Sequence, residues 1–149
     1  PWYCDYGTDL SRGFRALKVW TALRAHGSAA LGAAITRNCR QAQRMAARVA
    51  ATPGLRLAAP VRLNVCCFSV APDGLAAEAA DELNAAVAQD LQLAGDTVFS
   101  TTRIAGRTVL RAAIVNHRTC EADVDHAVAA AQRTAVQRLS AGAAGRASA

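Results

Sequence analysis

The sequence predicts an α+β fold in which helices cover a small, mostly antiparallel sheet. Segments with the apolar spacing of helices are interspersed with short, strand-like apolar runs, and a two-residue turn separates two of those runs. Of the 149 residues, 52% are hydrophobic and 19% are charged. This length and composition are typical of one folded domain, which at this size buries about two-thirds of the surface of its unfolded chain.

Two helices are predicted at the start of the chain. The first covers residues 10–26 and ends at Gly27, because glycine is a frequent helix stop. Ser28 is placed to cap a second, longer helix that reaches about Ala51. The residues predicted to face inward are Leu10, Phe14, Leu17 and Thr21 in the first helix, and Leu31, Ile35, Ala42, Met45, Ala46 and Val49 in the second.

Two strands and a helix are predicted in the middle of the chain. The strands cover residues 55–59 and 62–70, after a break at 52–54. The second strand is almost continuously apolar, which is typical of a strand covered on both faces. A turn at 72–74 leads into a helix that ends near Leu93. The residues predicted to face inward on this helix are Ala76, Ala80, Leu83 and Val87.

A hairpin and a closing helix complete the predicted fold. The hairpin strands cover residues 97–104 and 107–115 and meet at the turn Ala105-Gly106. The last helix covers about residues 121–139. The residues after it, mostly Ala, Gly and Ser, are expected to fray.

The charges and cysteines favour neither a nucleic-acid partner nor a metal site. The chain has 17 basic and 11 acidic residues, but its arginines are scattered, so solvated helix faces are the preferred interpretation. No C-x-x-C pair occurs, which predicts reduced core thiols in a cytoplasmic protein rather than disulfides or bound zinc. The cysteines are Cys4, Cys39, Cys66, Cys67 and Cys120.

The sequence predicts neither a membrane protein nor a secreted one. No apolar run approaches the roughly 20 residues that cross a bilayer. The first 30 residues lack the basic start, apolar run and cleavage site of a signal peptide. Because the chain opens with Pro1 rather than Met, followed by the bulky Trp2 and Tyr3, we expect a segment of a longer protein.

Arg111 is the most informative residue by periodicity alone. It shares one face of its predicted strand with Val109, Ala113 and Val115. A guanidinium within an apolar face is costly unless an anion meets it, so one interpretation is a clamp for a ligand carboxylate or phosphate. The other interpretation is an edge strand whose arginine pairs with an acid of the chain or reaches solvent. Periodicity alone favours this second interpretation.

The other polar residues predict no catalytic or metal site. His26, His117 and His126 lack the spacing of metal ligands, and only His117, in the loop after the Arg111 strand, lies where a pocket is expected. Lys18 is the sole lysine, but its helical position favours a solvated side chain over a Schiff-base role. The sequence contains no glycine-rich phosphate loop.

Three segments of the chain carry a family resemblance. They are residues 5–20 (DYGTDLSRGFRALKVW), 63–68 (LNVCCF) and 102–111 (TRIAGRTVLR), the last continuing through 116–125. In this order and spacing they resemble the C-terminal small domain of the pyridoxal-phosphate-dependent group II amino acid decarboxylases. That family includes the aromatic-amino-acid, histidine and glutamate decarboxylases.

The resemblance implies a fold-type-I enzyme whose pyridoxal 5′-phosphate is bound by a large domain absent from this chain. Residues 1–140 are expected to form the small domain, with 1–9 as a lead-in and 141–149 as a flexible tail. The implied activity releases CO2 from an L-amino acid, and the electron pair left on the α-carbon is taken up by the cofactor. A homodimer is implied, with no membrane or nucleic-acid partner. No catalytic or cofactor-binding residue is expected in this chain, which should be inactive alone.

Two substrate-binding positions carry over from the resemblance. Ser11 matches a small residue that lines the substrate pocket and is often glycine in relatives. Arg111 matches the arginine that engages the α-carboxylate of the substrate, so the resemblance favours the clamp. Gly13 departs from the family, which usually has an arginine there. It falls within the first predicted helix, where glycine costs about 1 kcal/mol relative to alanine.

Two other functions remain open from the sequence. One is a non-catalytic α+β interaction module that binds an acidic partner or nucleic acid. The other is a related enzyme that uses the cofactor for aldehyde-forming decarboxylation and deamination. The sequence upstream would separate the module from an enzyme, because the enzyme requires a large domain with a histidine-lysine pair.

Overall fold

The computed structural model describes residues 2–7 and 13–147, and the chain divides after Ala34 into two compact units. The first unit contains a short 3₁₀ helix at Tyr3–Tyr6 and the beginning of helix α1 (Arg15–Ala50). At Gly27 the backbone of α1 departs from helical geometry, with φ 76° and ψ 157°. The predicted break at Gly27 is therefore confirmed, at a conformation that glycine adopts without a Cβ clash.

The first helical segment begins later than predicted. It begins at Arg15, so Gly13 and Phe14 precede it, and Leu10 lies outside the described residues. The helical cost expected for Gly13 therefore does not apply. The predicted inward face is exposed at Leu17 as well as at Phe14.

The second unit holds a four-stranded antiparallel sheet with the order β1-β2-β4-β3. The strands are β1 (Leu55–Leu57), β2 (Val65–Val70), β3 (Ser100–Ile104) and β4 (Arg107–Ala113). Helix α2 (Ala77–Leu93) lies between β2 and β3 in the chain, and α3 (Glu121–Ala147) follows β4. The predicted hairpin is confirmed: Ala105 and Gly106 form its turn, with φ of 49° and 77°.

One face of the sheet packs against the helices. Its buried side chains alternate along two strands, at Cys66, Phe68 and Val70 of β2 and at Leu110 and Ala112 of β4. They form one apolar cluster with residues of all three helices, which include Ala42, Met45, Val49, Leu83, Val87, Leu91, Val124, Val128 and Ala131. The predicted α+β arrangement, with helices on a small antiparallel sheet, is therefore confirmed.

Three details differ from the sequence prediction. The buried stripe of α1 begins only at Gln41, and Ile35 is 62% exposed. The second face of β2 is half-buried rather than covered, because the helices supply core partners to the face of Phe68 alone. Helix α3 continues past the predicted end at Leu139 to Ala147, since alanine, which is frequent there, is the best helix former.

Helix α2 closes the gap where β2 and β4 stop pairing. The last paired residues are Phe68 and Leu110. Beyond them, Asn84 of α2 accepts a hydrogen bond from the Val70 N–H (2.8 Å) and donates to the Val70 carbonyl (3.0 Å). The Asn84 side chain is 1% exposed, so it lies inside the core. Its two hydrogen bonds to Val70 take the place of those that a neighbouring strand would make. Asp81, one turn earlier, accepts from the Thr108 N–H (2.8 Å).

Ion pairs join the helices at the edge of the core. Arg44 of α1 donates to both carboxylate oxygens of Asp125 in α3 (3.0 and 2.7 Å), and this pairing lowers the pKa of Asp125 below its ordinary value. Arg138 holds Asp90 of α2 in the same manner and lowers the pKa of that carboxyl. These side chains are only partly buried, so the pairs fix geometry more than they add stability.

Candidate functional site

Arg111 lies in the middle of β4, with a strand on each side. Its Cα partners are Cys67 of β2 and Ser100 of β3. Paired residues in an antiparallel sheet point to the same face, so these three side chains lie together, opposite the face of Leu110. We call this surface, formed by Cys67, Ser100 and Arg111, the arginine face.

The arginine face is more open than the sequence predicted. Arg111 and Cys67 are half-buried, Ala113 is exposed, and Val115 is 72% exposed, whereas Val109, two residues before Arg111 on the same face, is 3% exposed. Burial of Arg111 itself in an apolar interior is therefore wrong for this chain, because the main apolar cluster with the helices lies on the face of Leu110. The alternative is wrong in placing Arg111 on an edge strand, since β4 is an interior strand of the sheet, but its expectation that the arginine reaches solvent agrees with the half-exposed side chain.

The guanidinium of Arg111 has one side-chain contact within residues 2–7 and 13–147. Its Nη1 donates to Ser100 Oγ at 3.4 Å, and no carboxylate in this part of the chain forms an ion pair with it. Other arginines in the same part do pair with carboxylates: Arg44, Arg48, Arg56, Arg107, Arg133 and Arg138. The remaining N–H donors of Arg111 thus have no carboxylate partner among the described residues.

A cleft of about 320 Å³ adjoins the arginine face at Cys67. Its other lining residues come from the connection between β1 and β2 and the start of β2, and they include Arg62 and Leu63. Burial raises the pKa of the Cys67 thiol, and the opposing effect of nearby Arg111 is smaller. At neutral pH Cys67 is thus an uncharged neighbour that does not compete for the guanidinium.

The second predicted substrate-binding residue, Ser11, lies outside the described residues, so its role stays a prediction. Lys18 is exposed on α1, as its helical position predicted. The histidines His26, His117 and His126 are all exposed, and His126 is hydrogen-bonded to Asp96. The described residues form no group of three or more side chains that could hold a metal ion.

The predicted core thiols are confirmed at one position and corrected at another. Cys66 is fully buried, and burial raises its pKa to about 12. Cys39 and Cys67 are half-buried. Cys120, however, is exposed, because it lies just before α3, where Asp123 accepts a hydrogen bond from its N–H. All four thiols are free; the side chain of Cys4 lies outside the description.

Ser100 was missed by the sequence reasoning, although a signal for it was present. A two-residue turn at Ala105-Gly106 pairs residue 104 with residue 107, and the same register places Ser100 opposite Arg111. The position of Cys67 beside Arg111 had no such local signal, because it depends on the pairing of β4 with β2, which is distant in the sequence.

Comparisons with known proteins identify relatives along most of the chain. The pyridoxal-dependent decarboxylase conserved domain matches residues 3–71. The aromatic-L-amino-acid decarboxylase of Bacillus atrophaeus is 31% identical over 116 residues, which cover 77% of this chain and 24% of that protein. The tyrosine decarboxylase of Oryza sativa subsp. japonica is 31% identical over 147 residues, which cover 92% of this chain and 28% of that protein. The chain thus spans about a quarter of the length of these relatives.

Solved structures share the fold. The crystal structure of Oryza sativa TDC with PLP and tryptamine matches with a TM-score of 0.80 and 25% identity, over 91% of this chain and 29% of that one. Rhodiola rosea 4-hydroxyphenylacetaldehyde synthase matches with a TM-score of 0.78 and 26% identity, over 91% and 29%. The fold is that of the pyridoxal-phosphate decarboxylases of fold type I, as the sequence predicted. The chain belongs to the pyridoxal-dependent decarboxylase family.

The described part of this chain does not by itself fit pyridoxal phosphate. Enzymes of this chemistry attach the cofactor through a lysine amine. Lys18, the sole lysine of the sequence, is exposed on a helix, and no lysine lies on the arginine face. Among the described residues, no amine is therefore placed to hold the cofactor.

One more finding concerns the helices. Over the ranges that the structure describes, no helix combines the length and apolar character that a membrane crossing requires.

Proposed function

We propose that this chain is the substrate-binding C-terminal portion of a pyridoxal-phosphate-dependent decarboxylase that releases CO2 from an L-amino acid. The position of Arg111 carries the proposal. In a chain of the decarboxylase family, its guanidinium lies on an interior strand, half-exposed, without a carboxylate partner among the described residues. A planar guanidinium with paired N–H donors is suited to the α-carboxylate of an amino acid.

Arg111 would bind and orient the group that leaves. Two parallel N–H···O bonds would hold the intact carboxylate in one orientation relative to the α-carbon. When the bond to the α-carbon breaks, its electron pair stays on that carbon, where pyridoxal phosphate held outside this chain would supply the electron sink. The carboxylate leaves as neutral CO2, so its ion pair with Arg111 ends and the product can depart. The guanidinium keeps its protons at ordinary pH, so Arg111 serves binding rather than proton transfer.

Ser11 and the cofactor site complete the proposal. Ser11 would line the substrate pocket, where its hydroxymethyl group narrows the space relative to glycine or offers a hydroxyl to a polar substrate. The cofactor-binding residues would lie outside this chain, because exposed Lys18 is unsuited to that role. We propose an aromatic L-amino acid as substrate, after the relatives named aromatic-L-amino-acid decarboxylase and tyrosine decarboxylase.

The products formed by the full-length enzyme test this function. Supplied with pyridoxal phosphate, it is expected to convert L-tyrosine or L-tryptophan to equal amounts of CO2 and amine, and to act more slowly on L-histidine and L-glutamate. Released CO2 and chromatographed products are the measurement. Aldehyde with ammonia in place of amine, accompanied by consumption of O2 as the oxidant, would assign the related aldehyde-forming reaction instead. Absence of CO2 from all four amino acids would contradict the proposal.

We also propose that the enzyme is a homodimer that works in the cytoplasm. Large apolar side chains are exposed in the first unit, and a partner subunit or further domain would cover them: Trp2, Tyr6, Phe14, Leu17, Val19, Trp20 and Leu23. Free thiols at Cys39, Cys66, Cys67 and Cys120 support a reducing compartment.

The exposed aromatic surface predicts that the 149-residue chain associates on its own. Sedimentation equilibrium is expected to show mass that rises with concentration, and Trp20→Glu is expected to reduce it, because a charge opposes burial of that surface. Leu93→Glu is the control, since Leu93 is 78% exposed on α2, away from the first unit in sequence. A strictly monomeric chain at all concentrations would contradict the prediction.

A further inference from the structure

Ser100 contacts Arg111 twice. It lies on the edge strand β3, directly opposite Arg111 in the strand register. Its Oγ donates to the carbonyl of Arg111 at 3.2 Å, and the same Oγ accepts from Nη1 of Arg111 at 3.4 Å. Because both contacts join the same two residues, the register of the hairpin fixes them together.

Donation to the backbone sets the role of the hydroxyl toward the guanidinium. A serine hydroxyl has one proton and two lone pairs. With its proton directed at the Arg111 carbonyl, the lone pairs are left for Nη1. Ser100 is exposed, and the direction of its proton leaves its hydroxyl oxygen to act toward the guanidinium as an acceptor.

A neutral acceptor suits a residue that must bind an anion. A carboxylate in place of Ser100 would hold the guanidinium more strongly, but it would also compete with the charge of the ligand. On the other side of Arg111, Cys67 offers only a weakly accepting sulfur. An arginine side chain loses much rotamer freedom when it binds, and a side chain held beforehand loses less.

We propose that Ser100 is a positioning residue: it holds Nη1 of Arg111 toward β3, so that the remaining guanidinium donors meet the α-carboxylate of the substrate in one orientation. This inference rests on the proposed function of Arg111. Ser100 acts through Arg111 and does not contact the substrate.

A pair of variants of nearly equal shape tests the hydroxyl. Ser100→Thr keeps the hydroxyl. Ser100→Val places a side chain of almost the same volume as threonine at this position, but without the hydroxyl. In the holoenzyme, Ser100→Val is expected to raise KM for L-tyrosine about three- to tenfold, the effect of one lost hydrogen bond, with kcat changed less than about twofold. Ser100→Thr is expected to stay within about twofold of the wild type in both constants.

Two further measurements separate positioning from a structural effect. The first is competitive inhibition by 3-phenylpropionate and by its amide: Ser100→Val should weaken only the carboxylate, by a similar factor. The second is the double variant with Arg111→Lys, in which removal of the hydroxyl should have no further effect on KM. Thr101→Val is the control, because Thr101 is exposed on the same strand and paired with Leu110 rather than Arg111.

The outcomes distinguish this inference from the proposed function. Loss of carboxylate affinity in Ser100→Val, with recovery in Ser100→Thr, supports the positioning role. If Ser100→Val and Ser100→Thr have equal KM and kcat while Arg111→Lys is impaired, that role is overturned and the proposed function is left intact. If Arg111→Lys is also unimpaired, the proposed role of Arg111 fails, and the role of Ser100 fails with it.

Discussion

Replacing Arg111 by lysine is expected to lower kcat/KM of the holoenzyme about 10- to 100-fold, although the positive charge is kept. Lysine presents a single ammonium centre and cannot reproduce the planar pair of donors that orients a carboxylate. The loss corresponds to roughly 1.4 to 2.7 kcal/mol of transition-state stabilisation. Folding should survive, because the arginine face is half-exposed and water can solvate the new ammonium.

The measurement is steady-state kinetics on proteins with equal cofactor absorbance. Arg103→Lys serves as the matched control, since Arg103 is exposed on the neighbouring strand β3, paired with Thr108 rather than with a residue of the arginine face. It is expected to leave the constants unchanged. If Arg111→Lys kept near-wild-type kcat/KM, Arg111 would be a structural arginine.

The Asn84→Asp substitution is expected to lower the free energy of unfolding of the 149-residue chain by about 3 kcal/mol or more at pH 7. The amide of Asn84 donates to the carbonyls of Val70 and Ala80 and accepts from the Val70 N–H. A carboxylate of the same size loses both donors and brings a buried negative charge against two carbonyl oxygens. Neither partner can turn away, because both carbonyls belong to the backbone.

Urea denaturation of this variant is compared with that of Gln89→Glu. Gln89 is exposed on the same helix, so the same exchange of amide for acid there should change the free energy by no more than about 0.5 kcal/mol. Equal midpoints for the two variants would show that Asn84 does not replace a strand partner.

Elements with a local signal could be predicted from the sequence. The break in α1 follows from Gly27, whose φ of 76° suits glycine, and the hairpin follows from the turn at Ala105-Gly106. These signals depend on residues adjacent in the chain, so no tertiary knowledge is required.

Features that depend on distant residues could not be predicted in the same way. The openness of the arginine face depends on which side of the sheet the helices cover. The sequence of β4 does not reveal that side, because apolar residues stand on both faces of the strand around Arg111. The burial of Asn84 depends on where β2 and β4 separate, which the sequence of α2 does not reveal. For Arg111, periodicity alone favours a solvated or internally paired arginine, and the clamp is preferred only through the family resemblance.

The alternation along β4 limits how this region can vary in length. Leu110 and Ala112 point into the core, and Arg111 between them points out. Deleting one residue from the strand would exchange the two sets, placing a guanidinium among the helices and leucine on the open face. Insertion or deletion of two residues would keep each side chain on its present face. The turn that follows Ile104 is not part of a strand, so its length can change without moving side chains between faces. Length variation in this part of the family should therefore concentrate in the turn and leave the strand itself uninterrupted.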